Sequence, residues 1–559
     1  MPDQEIHKSP IVIVGGGPVG LMLALFLDRH GVRSVVFNSE PSARHHPKGS
    51  THNARTMEHY RRLGFGGEVR RLGLPADHPT DVVYLTRFNG PELARLPMPS
   101  EAEKMQHVAA APRSDQVPEP IHRANQMYVE KFLLEHAATR PNITLRFGWQ
   151  VDAFAQDTDG VTLHAEATDG SGEENWRAHY LVGCDGGRSL VRRTLGIQYE
   201  GFAALEQAFF GAHMISTYVR APTLYRDYLG NRRAWQYWVV NPELRTGLVA
   251  LNGHDEFIVW SRSAPDRPPD DAAIAALVRR ATGAEIPLDI IAHGEWTGGI
   301  ALTAERFAER RVLLAGDAVH LFTPTGGFGM NTGIDDAANV AWKLAAMLQG
   351  WGGSGLLASY EAERKPIAVR NTTASRALAK NVGDVPVPAE LEQDSPAGDA
   401  ARARTGAFLS GFGEEFASIG VQLGARYDGS PTVAADSDPP ADSFVQYTPT
   451  SVPGGRAPHY WLDDARVFGS SLFDRLGVGF TLLRLGPKPP NADALLAAAT
   501  ARKIPLSVLD LPDAELRDLY GRDLVLIRPD QHVGWRGNAP PEDPASLWAR
   551  LIGSSSDSP

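Results

Sequence analysis

Gly15-Gly16-Gly17-Pro18-Val19-Gly20 lies between Ile11-Val12-Ile13-Val14 and a segment, Leu21 to His30, whose apolar residues recur at helical spacing until Gly31. The β-branched run reads as a buried strand. The second segment reads as a helix closed by glycine. Ser34 to Phe37 is the next strand, so the chain begins with a βαβ unit. The G-x-G-x-x-G spacing at its turn lets the backbone approach a pyrophosphate, whose charge rests on the helix N-terminus. Gly350 to Gly355 repeats the spacing but follows a helical pattern instead of a strand, so it reads as a loop. The acid expected at the end of the second strand, for ribose hydroxyls, is replaced by Asn38, with Glu40 two residues on. An amide can bond a hydroxyl, without charge assistance.

Working outward, the 559 residues are 43% hydrophobic and 22% charged, enough for several domains with ample core. The net charge of -11 argues against nucleic acid or an anionic membrane as partner. Cys184 is the one cysteine, which excludes an internal disulfide, a dithiol pair and a cysteine zinc site. Met1 to Pro10 is polar with no apolar signal core, and no run of about 18 apolar residues occurs. A cytoplasmic protein without a membrane span is expected. His45 and His46 lack a surrounding ligand cluster, so no metal is expected.

Asn142 to Leu181 alternates apolar and polar residues and reads as antiparallel strands. Thr217 to Trp260 is strand-rich and carries Tyr218, Tyr225, Tyr228, Trp235, Tyr237 and Trp238. Arg311 to Leu314 is a buried strand, while Asp335 to Leu348 and Ser359 to Leu378 are helical. Asn381 to Ser443, rich in Pro, Gly, Ala, Asp and Ser, reads as an extended connector. From Gly454 to Gly553 strands and helices alternate again as a small α/β domain.

Two further strand ends carry motifs: Gly183-Cys184-Asp185-Gly186-Gly187-Arg188, and Ala315-Gly316-Asp317 running on to His320. A carboxylate there can accept from a sugar or ribityl hydroxyl. Each alone could be a strand-end turn; all three motifs in this order are specific. With Pro47 to Ser50, Asn53 to Glu58, Gln126 to Glu130, Pro324 to Asn331 and Tyr360 to Pro366, the chain resembles the group A flavoprotein aromatic hydroxylases, the para-hydroxybenzoate hydroxylase-like and phenol hydroxylase-like FAD monooxygenases. Leu526 to Gly537 resembles the end of their C-terminal thioredoxin-like domain. Phe328 stands where many members carry Gln, and Lys48 where many carry Arg.

The resemblance implies an α/β fold: an FAD-binding Rossmann-type domain, a sheet-based substrate domain and the thioredoxin-like domain. Residues 1–85, 111–195 and 301–380 would form the first, 86–110 and 196–300 the second, 381–450 a connector and 451–559 the third. It assigns cofactor contacts to Gly15, Gly17, Pro18, Val19, Gly20 and Asn38, to Lys48, Arg55, Gln126 and Val151, to Asp185 and Gly186, and to Gly316 and Asp317. It adds Pro324, Gly327, Gly329, Met330 and Asn331 along the flavin ring. FAD, NADPH or NADH as co-substrate, and oxygen are the implied cofactors. Oxygen added at flavin C4a would attack an electron-rich ring carbon of a small phenolic or other aromatic substrate. A homodimer is the expected assembly.

A base would make a phenol more nucleophilic. The candidates are His52, His213, Tyr225 and Tyr237. Strand alternation puts Trp235 and Tyr237 on one side. The competing reading for any of them is a packed aromatic core. His320 reads as support for the Gly316-Asp317 loop. A flavin halogenase would need a Trp-x-Trp-x-Ile-Pro signature, and a disulfide reductase a cysteine pair; the chain has neither. Baeyer-Villiger oxygenation of a polyketide and a non-catalytic FAD-binding protein are the remaining alternatives. The residues do not choose between a simple phenol, an aromatic acid and a polycyclic polyketide, nor between NADPH and NADH.

Overall fold

The computed structural model describes residues 6–203, 213–262, 269–296, 300–383, 385–416 and 418–554. The part of the N-terminal segment before Ile6 thus lies outside the described residues. The first strand, Ile6–Val14, runs parallel to Ser34–Asn38 on one side and Glu173–Gly183 on the other. Ile143–Phe147 and Val312–Leu314 extend the parallel sheet at its two sides. Ile11, Val12 and Ile13 are wholly buried, as expected for a strand covered on both faces. The helices Pro18–Arg29 and Phe328–Leu348 pack together on one face, close enough that a Cβ on Gly333 would stand 2.7 Å from the Val19 side chain. An antiparallel meander, Trp149–Gln156, Val161–Ala167 and Glu173–Gly183, grows from this sheet. Its first turn is held by the Asp157 carboxylate, which accepts from the N–H groups of Asp159 and Gly160.

A seven-stranded sheet forms the second layer. Its order is Asp289–Trp296, Met214–Arg220, Glu256–Arg262, Arg245–Ala250, Gln236–Val240, Val82–Leu85 and Glu92–Leu96. Only the pairing of Gln236–Val240 with Val82–Leu85 is parallel. One rung crosses six of these strands: Gly294, Ser216, Trp260, Gly247, Trp238 and Tyr84 are successive partners. Directly paired residues point to the same face, so this rung makes one continuous strip. Five strand spacings of about 4.8 Å give it a length of about 24 Å. The opposite face carries Tyr237 and Phe257 and packs with Ile274, Val278 and Ala281 of the helix Asp271–Thr282.

The segment 381–450 differs from the extended connector expected of it. It contains the helices Pro396–Leu409 and Ile419–Leu423. Val385, Leu391, Ala401, Leu409 and Phe412 complete the core of the seven-stranded sheet. The composition hid this because few apolar residues suffice to anchor a short helix. Ser395, whose hydroxyl accepts from the Gly398 N–H at 3.2 Å, followed by Pro396, is a helix start that the sequence does contain.

The last unit is a four-stranded sheet in the order Leu506–Leu511, Phe480–Leu485, Leu524–Ile527, Val533–Gly537, with one parallel and two antiparallel pairings. It docks through buried ion pairs. Arg528 bonds both Glu363 oxygens, at 2.6 and 2.8 Å, and Asp530 at 2.6 Å, while Lys343 reaches Glu363 at 2.6 Å. Among the described residues no helix is long and apolar enough to cross a membrane.

Candidate active site

The glycine turn is shaped by contacts that admit no side chain. Gly15 has φ +111°, and a Cβ there would collide with the Cys184 carbonyl. A Cβ on Gly20 would collide with the Gly15 carbonyl, whereas Gly17 faces open space. The Gly15 N–H donates to Phe37 O at 2.8 Å and the Gly16 N–H to Asn38 Oδ1 at 3.1 Å. Asn38 in turn donates to Glu40 O at 3.2 Å, so this amide ties the turn to the end of the second strand. The helix beginning at Pro18 has no side-chain cap, which leaves its first N–H groups available to an anion.

Asp185 follows the neighbouring strand. Its Oδ2 accepts from the Val191 N–H at 3.1 Å, while Oδ1 is buried without a partner among the described residues. Burial holds this carboxyl above the usual range. Gly316 packs against Val19, 2.9 Å from where its Cβ would be. Its N–H donates at 3.2 Å to Asp336 Oδ2, which also lies 2.6 Å from His320 Nε2. His320 thereby braces the loop. Asp317 is exposed, and its carbonyl accepts from Tyr199 at 2.5 Å.

Pro324, Gly326 and Gly327 form a tight turn into the 21-residue helix Phe328–Leu348. Gly326 and Gly327 both have positive φ, and a Cβ on Gly327 would stand 2.7 Å from Thr51. Asn331 pins the turn in place. Its amide donates to Thr51 O at 2.9 Å and Gly327 O at 2.6 Å, and its Oδ1 accepts from the Asn53 N–H at 2.9 Å. Gly329 and Met330 are half-buried in the first helical turn. Phe328 turns into an apolar cluster with Ala374 and Val421, so this departure from the family pattern fills a core.

The other expected cofactor contacts are dispersed. Lys48 is exposed, within electrostatic reach of Asp317 and Glu130. Gln126 donates to Glu130, and its N–H to Gly49 O at 2.8 Å. Val151 sits in the first core. Arg55 points into the interior and donates to Glu58 at 2.9 Å, Gln531 at 2.8 Å and Asp530 O at 2.7 Å. It therefore serves the junction with the C-terminal domain, a role its position in the sequence did not signal.

The strip Ser216, Trp260, Gly247, Trp238, Tyr84 is bounded at both ends. At one end His46 Nε2 lies 3.1 Å from Ser216 Oγ, and Ser216 donates to Gly294 O at 3.2 Å. In the middle Gly247 makes room for the Trp238 and Trp260 rings, whose centroids are 5.5 Å apart. At the other end Glu415 acts electrostatically on Tyr84, whose phenol burial already pushes up. Glu415 accepts from the Gly326 N–H at 3.4 Å, which brings it to the glycine turn. Burial pushes its carboxyl up to about 7. Arg123 donates to Thr51 Oγ1 and lies 3.9 Å over the Trp235 ring. Trp235 meets Phe416 edge-on at 6.2 Å, and its Nε1 is buried without a partner among the described residues.

The four candidate bases are placed elsewhere. Trp235 and Tyr237 do not share a side, because the N–H groups of Trp235 and Gln236 both bond Asp81 O, at 3.1 and 3.2 Å, and break the alternation. The Tyr237 hydroxyl donates to Arg232 O at 3.1 Å and accepts from the Ala234 N–H at 2.6 Å. Tyr225 meets His78 at 3.3 Å and packs on Phe257. Burial pushes both phenols up, away from any use as a base. His52 is enclosed between the Tyr60 hydroxyl and Ala124 O, each at 3.1 Å, and burial lowers it to about 3. His213 is exposed. The groups that do gather here, Arg123, Glu415, Tyr84, Trp260, Ser216 and His46, come from six distant stretches. Tyr84, in the apolar run Val82–Leu85, and Trp260, at the end of the strand-rich stretch, carried a signal that strand periodicity could have used.

These residues fit FAD. An open turn at Gly17 before an uncapped helix suits the pyrophosphate, and the orphaned Asp185 oxygen suits a hydroxyl. Residues 8–375 match the FAD binding domain family and residues 450–554 the aromatic-ring hydroxylase C-terminal family. The FAD-dependent monooxygenase apdD of Emericella nidulans is 31% identical over 96% of this chain and 89% of its own. RebC, soaked with chromopyrrolic acid and holding 7-carboxy-K252c, superposes with a TM-score of 0.88 at 33% identity, over 99% of this chain and all of that one. Aklavinone-11 hydroxylase in complex with FAD and aklavinone gives a TM-score of 0.78 at 29% identity, with 99% and 100% covered.

Proposed function

The chain belongs to the FAD-dependent aromatic-ring hydroxylases, enzymes that use NAD(P)H and oxygen, and on that premise we propose that its substrate is an elongated, polycyclic aromatic compound bearing a ring hydroxyl. The observation that carries this reading is the strip from Ser216 to Tyr84. Its four strand spacings, about 19 Å in all, suit fused rings better than a single phenol ring. Trp238 and Trp260 offer flat apolar area, and Gly247 keeps the middle low enough for a ring system to lie across it. The ligands named in the RebC and aklavinone-11 hydroxylase structures, 7-carboxy-K252c and aklavinone, point the same way.

Bound FAD supplies the redox chemistry by which electrons from NAD(P)H and one atom of oxygen reach the aromatic ring. The protein's part is positioning and enclosure. The turn at Gly15 to Gly20 and Asp185 would hold the dinucleotide, with Gly316 and Asp317 at its ribityl chain. Asn331 fixes the Gly326-Gly327 turn, whose bare backbone allows close approach to the ring system. The tryptophan strip would shield the reacting carbon from water. The net charge of -11 and the single cysteine support a cytoplasmic enzyme acting on a small molecule.

The test is NAD(P)H oxidation by the FAD-loaded protein with a series running from phenol and hydroxybenzoates to hydroxylated naphthoquinones and anthraquinones. Hydroxylated product is measured beside peroxide. Product matching NAD(P)H consumed is expected only with the polycyclic members. Tight coupling with phenol and none with the polycyclic compounds would refute the elongated substrate while leaving the hydroxylase in place.

A further inference from the structure

The end of the strip nearest the Gly326-Gly327 turn brings together three groups from separate parts of the chain. Glu415 ends a short turn after the helix Pro396–Leu409, Arg123 belongs to the two-residue strand His122–Arg123, and Trp235 precedes the strand Gln236–Val240. Glu415 is half-buried and makes no ion pair within 4 Å among the described residues. Its one hydrogen-bond partner there is the Gly326 N–H at 3.4 Å, which leaves most of its accepting capacity unused. Phe416, the next residue, stands against Trp235, whose ring N–H is buried and unpartnered. Arg123 lies over the same ring, 3.9 Å from the Trp235 ring centre. A buried donor with no partner and a carboxylate with free lone pairs are costly to keep in an apolar setting. A hydroxyl satisfies both, since it donates to one and accepts from the other.

We propose that Glu415 receives the proton of the substrate's ring hydroxyl, while Trp235 Nε1 donates to the same oxygen. The inference rests on the hydroxylase reading above and adds to it a proton acceptor and an orientation. The O–H bond breaks, the proton binds a Glu415 carboxylate oxygen, and the electron pair stays on the hydroxyl oxygen. From there it raises the electron density of the ring carbons ortho and para to it, the positions that oxygen transfer favours. The Arg123 guanidinium, close by, stabilises the oxyanion. Two other titratable groups of the strip are poor proton acceptors, since His46 is engaged by Ser216 and Tyr84 is a buried phenol. Glu415, raised to about 7, is matched to accepting a proton at neutral pH. Arg123 and Tyr84 are the charged and titratable groups that act on it.

The experiment uses the FAD-loaded full chain and 1,4-dihydroxyanthraquinone, whose absorption shifts to the red on ionisation. The probe is titrated with wild type, Glu415→Gln and Glu415→Asp across neutral pH, and thermal unfolding of each variant reports whether it folds. With wild type the bound probe ionises at lower pH than the free one. With Glu415→Gln it ionises no earlier than the free probe, and kcat falls about 100-fold while KM stays within about threefold. Glu415→Asp restores part of both. Trp235→Phe, which keeps the ring but removes the donor, weakens ionisation of the probe while Glu415 is intact. A Glu415→Gln protein that folds and ionises the probe as wild type does would overturn the proposal and leave the hydroxylase standing. A wild type whose NAD(P)H oxidation no phenol accelerates would overturn both.

Discussion

Gly247 lies directly across from Trp260 on the neighbouring strand, and a Cβ on it would come within 2.9 Å of the Trp260 ring and 3.0 Å of the Trp238 ring. The missing side chain thus sets the depth of the aromatic strip. Gly247→Val fills the space between the tryptophans. The variant should bind polycyclic hydroxyquinones at least about 10-fold more weakly, while a one-ring phenol that reaches only the Tyr84 end is affected less than about threefold. Overpacking should also cost about 1–3 kcal/mol of stability. Equilibrium titration with both ligand sizes and a urea unfolding curve check this. An equal loss for both ligands would mean that the strip does not hold the substrate's length.

Asn331 makes three hydrogen bonds that join the Gly326-Gly327 turn to the segment Thr51 to Asn53. Asn331→Ala leaves the Asn53 N–H and the Thr51 carbonyl without these partners in a buried place, at a cost of about 2–4 kcal/mol. The turn loses its fixed position, so FAD should bind about 10- to 100-fold more weakly. Flavin fluorescence titration gives the dissociation constant, and Asn331→Asp, which keeps the acceptor alone, should fall between. Unchanged FAD affinity in a folded Asn331→Ala protein would show that the turn is held by other means.

The contrast between Gly15 and Glu415 shows what a sequence can carry. The turn at Gly15 to Gly20 is a local device: strand, glycines and helix are contiguous, so their spacing states the backbone geometry that the contacts with Cys184 and Phe37 then display. The same holds for Gly316 and its brace His320, four residues apart. The substrate side is assembled otherwise. Glu415 is 89 residues from Gly326, and Trp235 meets Arg123 from a distant part of the chain. No spacing rule predicts such meetings. Tyr237 was misplaced by a subtler effect, the double use of Asp81 O, which shifts Trp235 to the other face and leaves Tyr237 in the core. Segment 381–450 was misread because composition reports average polarity, whereas Leu391, Ala401 and Leu409 act by position.

Three fully enclosed histidines contribute to the response to acid. His52 and His459 are lowered to about 3 and His59 to about 4, in each case first by burial, and all three side chains are inaccessible to solvent. A base whose folded pKa is depressed below its unfolded value of 6.5 contributes stability that is present above pH 6.5 and lost as pH falls toward the folded value. By about pH 5 each histidine should have cost up to about 2 kcal/mol. Glu415 has the opposite sign: a carboxyl raised from 4.5 to about 7 adds stability below 4.5 that is lost as pH rises through 7. It therefore offsets part of the loss on acidification. Unfolding midpoints should fall between about pH 6.5 and 5, fall less in His52→Gln, and fall more steeply in Glu415→Gln. A midpoint that stays level to pH 5 in wild type would contradict the assignment of these histidines as buried and neutral.

The buried ion network makes the C-terminal domain part of the same cooperative unit. Arg528 is fully buried between Glu363 and Asp530, and Glu363 also takes Lys343 at 2.6 Å and Asn339 at 2.8 Å. Lys343 and Asn339 sit on the helix Phe328–Leu348, whose first turn carries Asn331. The same rigid element thus links the domain junction to the flavin turn. Removing one partner of such a cluster leaves an uncompensated buried charge, which costs about 3–5 kcal/mol. Arg528→Met should lower stability by that amount and should weaken FAD binding, although Arg528 lies outside the flavin turn. Adding Asp530→Asn removes the charge that loses its partner, since Glu363 keeps Lys343, and should recover part of the loss, because the two changes share one interaction. Unfolding monitored in parallel by tryptophan fluorescence and by flavin release should give coincident midpoints for wild type and for both variants. Separate midpoints, with flavin held after the C-terminal domain has melted, would show that the network fastens the domain without supporting the site.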